Sequence, residues 1–203
     1  QMVVALQPLE ELAGLERVFV STYQSASGAG QQGIEELLEG LRGWAAADAS
    51  GAELSESLDV EGGETFAHPL PFEALPHIAS FGASGFTTEE LKMVHETRKI
   101  MGRPELSVAS HCVRVPAIRS HSEALSVDLG RACTVDEIRG VWSEAPGVRL
   151  YDAPEDDHYP LARLAEGDDD TWVGRLRRDL DRPETVHFWV VSDNLRKGAA
   201  LNS

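Results

Sequence analysis

Leu106-Ser-Val-Ala-Ser-His-Cys-Val-Arg-Val115, followed beyond a proline-broken link by Ala124-Leu-Ser-Val-Asp-Leu129, is the stretch whose reading decides the fold. Both runs are short, apolar and rich in valine, with turn residues at their ends, and both read as strands. No helix separates them, which departs from regular βαβ alternation. Downstream, Thr134-Val-Asp-Glu137 caps a helix to about Glu144. Val148 to Tyr151, Trp172 to Leu176 and Val186 to Val191 read as further strands, and a helix begins over Leu195 to Leu201. Upstream, Thr87-Thr-Glu-Glu90 starts a helix, with a Thr cap and acids in its first turn, that stops at Gly102-Arg-Pro104. That helix has apolar residues on two sides, Leu91, Val94 and Met101 on one and Met93 and Ile100 on another, so it is expected to be largely buried.

Further towards the N-terminus, Phe66 to Phe81 holds three prolines and reads as extended and irregular. Asp48 to Thr65 is acidic and Gly/Ser-rich, the composition of a flexible surface loop. Ile34, Leu37, Leu38, Leu41 and Trp44 recur at helical spacing and predict a helix over 34–47. A Gly/Ser turn over Ser25 to Gly33 precedes it, and Glu16 to Tyr23 reads as a strand. Met2 to Leu12 is helical, with Pro8 a candidate break. Segregated helices and long strands point to one α+β domain over residues 1–203, with a mixed, largely antiparallel sheet and helices packed on one face.

The chain has 203 residues and a formal net charge of −16, from 34 acidic and 18 basic side chains. That balance argues against a nucleic-acid surface, which needs Lys and Arg to displace counterions. No stretch approaches the roughly 18 apolar residues that would cross a bilayer. Two cysteines, Cys112 and Cys133, make neither a disulfide framework nor a metal site, and a reducing, cytoplasmic setting is expected. Gln1-Met-Val-Val-Ala-Leu6 reads as the middle of a helix, which suggests a longer parent chain.

Gly28-Ala-Gly30-Gln-Gln-Gly33 is a formal dinucleotide fingerprint between a strand and a helix. Yet the fingerprint opens directly off its strand, and an acid should follow on the next strand about 20 residues on. Here an acidic loop without an apolar run occupies that place. A turn meeting a ligand through backbone N–H groups at a helix N-terminus fits better. Glu96 and Lys99 share a helix face, as an internal ion pair or a ligand clamp. Arg114 lies in an apolar strand, where its charge needs a partner, and its fork suits a carboxylate. Cys112 reads as an inert buried thiol rather than a nucleophile activated by His121. Arg98, Lys99, Arg114 and Arg119 concentrate positive charge in two short segments, which suits a small anionic substrate or two ordinary ion-paired segments.

Four segments in order carry a specific resemblance: Ser21-Thr-Tyr-Gln24-Ser-Ala-Ser-Gly-Ala-Gly30, Glu96-Thr-Arg-Lys99-Ile, Val113-Arg114-Val-Pro-Ala-Ile-Arg-Ser-His121-Ser, and Ser192-Asp-Asn194-Leu-Arg-Lys-Gly-Ala-Ala-Leu-Asn202. Phe66-Ala-His-Pro-Leu-Pro-Phe and Pro76-His-Ile78 agree with them. Together they resemble the aspartate-semialdehyde dehydrogenase family over nearly the whole chain. The resemblance implies the second domain of those enzymes, a fold also seen in the C-terminal domain of glyceraldehyde-3-phosphate dehydrogenase. It implies a homodimer, with a tetramer also open, and NADP held mainly by a first domain.

Residue by residue, it implies that His121 is the general acid/base and that Gln24 places the acyl-enzyme. Arg114 would grip the substrate α-carboxylate, Glu96 its α-ammonium, and Lys99 a phosphate. Ser27, Gly28 and Asn194 would approach the nicotinamide end of NADP. The family's nucleophilic Cys lies just before the helix that Gln1 begins, so neither Cys112 nor Cys133 matches it, and the chain alone is expected to be inactive. Glu73 departs from the family's asparagine. The implied reaction interconverts L-aspartyl 4-phosphate and L-aspartate 4-semialdehyde through a cysteine thioester. It serves lysine, threonine and methionine biosynthesis. N-acetyl-glutamyl-phosphate reductase, which shares the architecture, and a non-catalytic dimerisation module are the rival readings.

Overall fold

The computed structural model describes residues 1–46 and 63–197. The acidic loop expected over 48–65 therefore lies outside the described residues apart from its last three. The helix expected from Leu195 is described only as far as Lys197.

One six-stranded sheet organises the chain, in the order β2-β1-β3-β6-β5-β4. Its strands are β1 (Leu15–Gln24), β2 (Ser107–Arg114), β3 (His121–Leu129), β4 (Val148–Leu150), β5 (Thr171–Arg178) and β6 (Thr185–Ser192). The three inner pairings are antiparallel, and the two edge pairings, β1 with β2 and β4 with β5, are parallel. The mixed, largely antiparallel α+β sheet read from the sequence is the one observed.

Helices α1 (Met2–Ala13) and α4 (Val135–Glu144) cover one face. Against Leu6 and Leu9 of α1 and Ile138 and Trp142 of α4 pack Val18, Val20, Leu125, Val127, Val186, Phe188 and Val190 from alternate strand positions. Trp142 is fully buried, meets Phe188 edge-on at 5.0 Å, and donates its indole N–H to the Ala5 carbonyl at 2.9 Å. A buried indole with its one donor satisfied contributes its full apolar area. Thr134 caps α4 and Thr87 caps α3 (Thr88–Ile100), each in a reciprocal capping box with the Glu three residues on.

Several boundaries differ from the sequence reading. Pro8 does not break α1, since Leu6 and Leu9 on either side are wholly buried and hold the helix across one missing N–H. β3 begins at His121 rather than Ala124, because polar Ser122 and Glu123 are buried in the sheet and hide the strand signal. Helix α2 starts at Gly30, not Ile34, and runs to Ala46, so the expected turn shrinks to a 3-10 turn at Ala26–Ala29. Leu37 of α2 forms a second small core with Ala26, Phe66, Leu70 and Leu75. Helix α3 is not largely buried. Only Thr97 is enclosed and Ile100 is 64% exposed, because α3 lies over β2 at the edge of the sheet rather than over its middle.

Candidate active site

The strand register gathers the polar residues at one end of the sheet. Gln24 closes β1 beside Arg114, which closes β2. His121 opens β3 at the same end and faces Ser192, the last residue of β6. Arg114 and His121 both point to the helix-covered face, where they meet the backbone of Gly28. A Cβ on Gly28 would stand 2.6 Å from Arg114 Nη1 and 3.1 Å from the His121 ring. The three glycines of the formal fingerprint thus have separate local reasons. Gly28 admits Arg114 and His121, Gly30 has φ +79°, and Gly33 packs on the Ala26 carbonyl, 2.7 Å from where a Cβ would sit. The N–H groups of Ala26, Ser27 and Gly28 donate to Ala117, Ile118 and Ser25 carbonyls. Those three are spent inside the protein, so the expectation that this turn presents its N–H groups to a ligand does not hold for them.

His121 Nδ1 accepts the Ser25 backbone N–H at 3.1 Å and lies 3.1 Å from the Ser25 hydroxyl. A neutral ring with Nδ1 as acceptor carries its proton on Nε2, the atom nearer Gly28. Burial, then the adjacent Arg114 charge, pushes the His121 pKa down to about 4, so the ring is neutral at pH 7.

Arg114 is 6% exposed, donates from Nη1 to the Ser25 carbonyl at 2.7 Å, and lies over the Phe66 ring at 5.8 Å. Burial lowers its pKa, opposed by the nearby Glu89 carboxylate. Among the described residues no carboxylate oxygen comes within ion-pair distance of it. It borders a cavity of about 310 Å³ shared with Phe66, His68, His77, Ile78 and Ala79. A buried guanidinium beside a cavity, without a carboxylate of its own, is prepared for an anionic ligand.

Gln24 is buried, with its amide nitrogen 3.3 Å from Glu89 Oε1 and 3.4 Å from Thr22 Oγ1. Asn194 Oδ1 accepts from the Ser120 N–H at 2.9 Å and from the Ser27 and Ser25 hydroxyls at 3.1 and 3.4 Å. This fixes the Asn194 amide orientation and leaves its nitrogen, with two N–H donors, without a partner among the described residues. The structure therefore brings together Gln24, Ser27, Gly28, Arg114, His121 and Asn194.

Glu96 and Lys99 stand apart from that group. Glu96 is exposed and lines a neighbouring 90 Å³ cleft with Gln1, Met2, Met93, Thr97, Ile100 and Glu123. Lys99 is exposed in a separate shallow depression with His95, Arg98, Gly102 and Pro104. Glu96, Lys99 and Arg114 thus border three separate depressions. The Cys112 thiol is buried and its pKa is pushed up to about 11, foremost by burial, which leaves it unreactive.

Three residues of this neighbourhood escaped the sequence reading. Glu89 was visible only as an acid in a helix first turn. Glu123 is buried with Oε2 unpaired, and burial pushes its carboxyl upward. It sits two residues after His121 on the same face, so strand alternation could have found it. Ser25, which holds His121, carried no signal beyond a turn.

Residues 6–197 match the family described as "Semialdehyde dehydrogenase, dimerisation domain". The chain belongs to this family. It is 43% identical over 203 residues to aspartate-semialdehyde dehydrogenase of Aquifex aeolicus and 44% identical over 204 residues to that of Bacillus subtilis. All of this chain is covered, but it spans only 57% and 58% of those curated relatives. Aspartate semialdehyde dehydrogenase II of Vibrio cholerae, solved in complex with ASA, superposes with a TM-score of 0.86 at 37% identity, covering 100% of this chain and 56% of that one. These relatives and this solved neighbour are all aspartate-semialdehyde dehydrogenases. No helix among the described residues is long and apolar enough to cross a membrane.

Proposed function

We propose that this chain is the catalytic and dimerisation half of an NADP-dependent, phosphorylating aspartate-semialdehyde dehydrogenase. The observation that carries the reading is the buried, carboxylate-free Arg114 set against a neutral His121 around Gly28. Arg114 grips the α-carboxylate of the substrate with its two-pronged fork. Glu96, at the mouth of the next cleft, receives the α-ammonium, and Lys99 draws phosphate from the outer side. His121 Nε2 moves the proton of the thiol and of the carbonyl oxygen that forms and collapses beside it. The thiol belongs to a cysteine that precedes Gln1 in the parent. Gln1 lines the cleft of Glu96 and Glu123.

Bound NADP supplies hydride acceptance. The free N–H donors of Asn194 fit a nicotinamide carboxamide, and Ser27 holds that side chain in place. The isolated chain is inactive in this reading. The face of the sheet opposite α1 and α4 makes the homodimer contact, and the protein works in the cytoplasm.

The test is reduction of NADP by L-aspartate 4-semialdehyde in the full-length parent. Activity that requires phosphate and falls by about 10²–10⁴-fold in His121→Ala is the expected outcome. A folded parent without phosphate-dependent activity refutes the reading. Turnover only on an N-acetylated glutamate semialdehyde transfers it to the related reductase.

A further inference from the structure

Immediately before His121, Ser120 holds φ +68°. A non-glycine residue stays in that region only where its surroundings over-determine it. Two contacts do so. The Ser120 N–H donates to Asn194 Oδ1 at 2.9 Å, and the preceding Arg119 forms a two-pronged pair with Asp193, Nε to Oδ1 at 3.0 Å and Nη2 to Oδ2 at 2.5 Å. Asp193 is wholly buried and also accepts the Gly167 N–H at 2.8 Å and the Leu195 N–H at 3.0 Å. Burial alone would raise its pKa, but the hydrogen bonds from Arg119, Gly167 and Leu195 hold it below the ordinary carboxylate range. Every oxygen of this carboxylate is engaged, so the turn it anchors has one geometry. That turn presents Asn194, which meets the Ser25 hydroxyl, and Ser25 in turn holds His121 Nδ1.

We infer that the Arg119–Asp193 pair is the positioning device of the site, fixing the backbone and ring of His121 by clamping residues 119–121 to residues 193–195. The inference rests on the proposed function for what His121 does, but not for how it is held. Neither residue reaches the site itself. Arg119 acts through Ser120, and Asp193 acts through Asn194 and Ser25. The pair therefore governs which ring nitrogen carries the proton and where that nitrogen points. It has no contact with Arg114 and should leave substrate affinity alone.

The experiment uses the full-length parent with Asp193→Asn, Arg119→Gln and Arg119→Lys. Asp169→Asn serves as the control, since it removes an exposed ion pair with Arg196 in the same region. The readouts are kcat, KM, thermal stability and the ¹⁵N spectrum of the His121 ring. Expected are kcat losses of about 10–100-fold in Asp193→Asn and Arg119→Gln, with KM for the semialdehyde within about twofold. Arg119→Lys, which keeps the charge on a partly exposed side chain, should recover part of the loss. The ring should pass from a single Nε2-protonated form to a mixture of tautomers. Asp169→Asn should match wild type.

Folded variants with wild-type kcat and an unchanged ring spectrum overturn the inference. So does a loss in which stability falls while the tautomer stays fixed, since that is a merely structural pair. If the wild-type parent lacks semialdehyde activity, the proposed function fails and the ring spectrum alone decides the clamp.

Discussion

The two faces of the sheet are made by the same strands and, away from the buried Ala165–Trp172–Val191 cluster on the outer one, behave oppositely. In β1, Val18 and Val20 are sealed under α1 and α4, while Phe19 between them is 40% exposed. In β6, Val190 and Phe188 are buried, and Trp189 turns outward to meet Tyr23 at 5.3 Å. The outer face also carries Ser21, Ala124 and Ser126, with Arg17 laid over Phe19 and His187 bridging Ser126 and Asp179. Apolar character alone thus does not decide burial; a covering element does.

A second contrast runs along the covered face. Val18 and Val20 give way to Thr22 and Gln24, and Leu125 gives way to Glu123 and His121. The face begins as hydrocarbon core and ends as a polar, largely buried site.

The sharpest way to break the first contrast is Trp142→Ala. It should cost about 3–5 kcal/mol, the range for an emptied aromatic core position, with the indole hydrogen bond to the Ala5 carbonyl lost as well. Chemical denaturation would measure it, and a loss under about 1 kcal/mol would show that α4 does not seal the face.

Acid titration probes the polar end of that face. His121 has a folded pKa of about 4 against an ordinary 6.5, so the unfolded chain binds more protons between those values. Stability should then be complete above pH 6.5 and fall on acidification towards pH 4, by on the order of 2–3 kcal/mol. His121→Gln should flatten this slope, and an unchanged slope would assign it to another group.

On the outer face Phe19→Ser should alter unfolding stability by only about 0.5 kcal/mol. Sedimentation should nonetheless show weaker self-association if the family's dimer contact lies here. A large stability loss with unchanged self-association would reverse the assignment of the two faces.

The strands, the capped helices α3 and α4, and the α+β class could all be read from alternation, caps and proline placement. Where the reading slipped, polar residues sat in unexpected surroundings. Ser122 and Glu123 hid the start of β3, and Ile100 suggested burial for a helix that lies at the sheet edge. The site residues came from a family resemblance, not from spacing. The seven positions between Arg114 and His121 cross a proline and say nothing about convergence.

The sequence by itself determined which segments are strand or helix, because period and capping are properties of neighbouring residues. It also determined, through four ordered motifs, the family. Only the tertiary structure decided that Arg114 and His121 meet at Gly28, that Lys99 borders a depression of its own, and that Arg119 pairs with Asp193. Those relations join residues far apart in the chain, 93 positions for Gly28 and His121 and 74 for Arg119 and Asp193. Strand register and helix placement set them, and no local pattern in the chain encodes either.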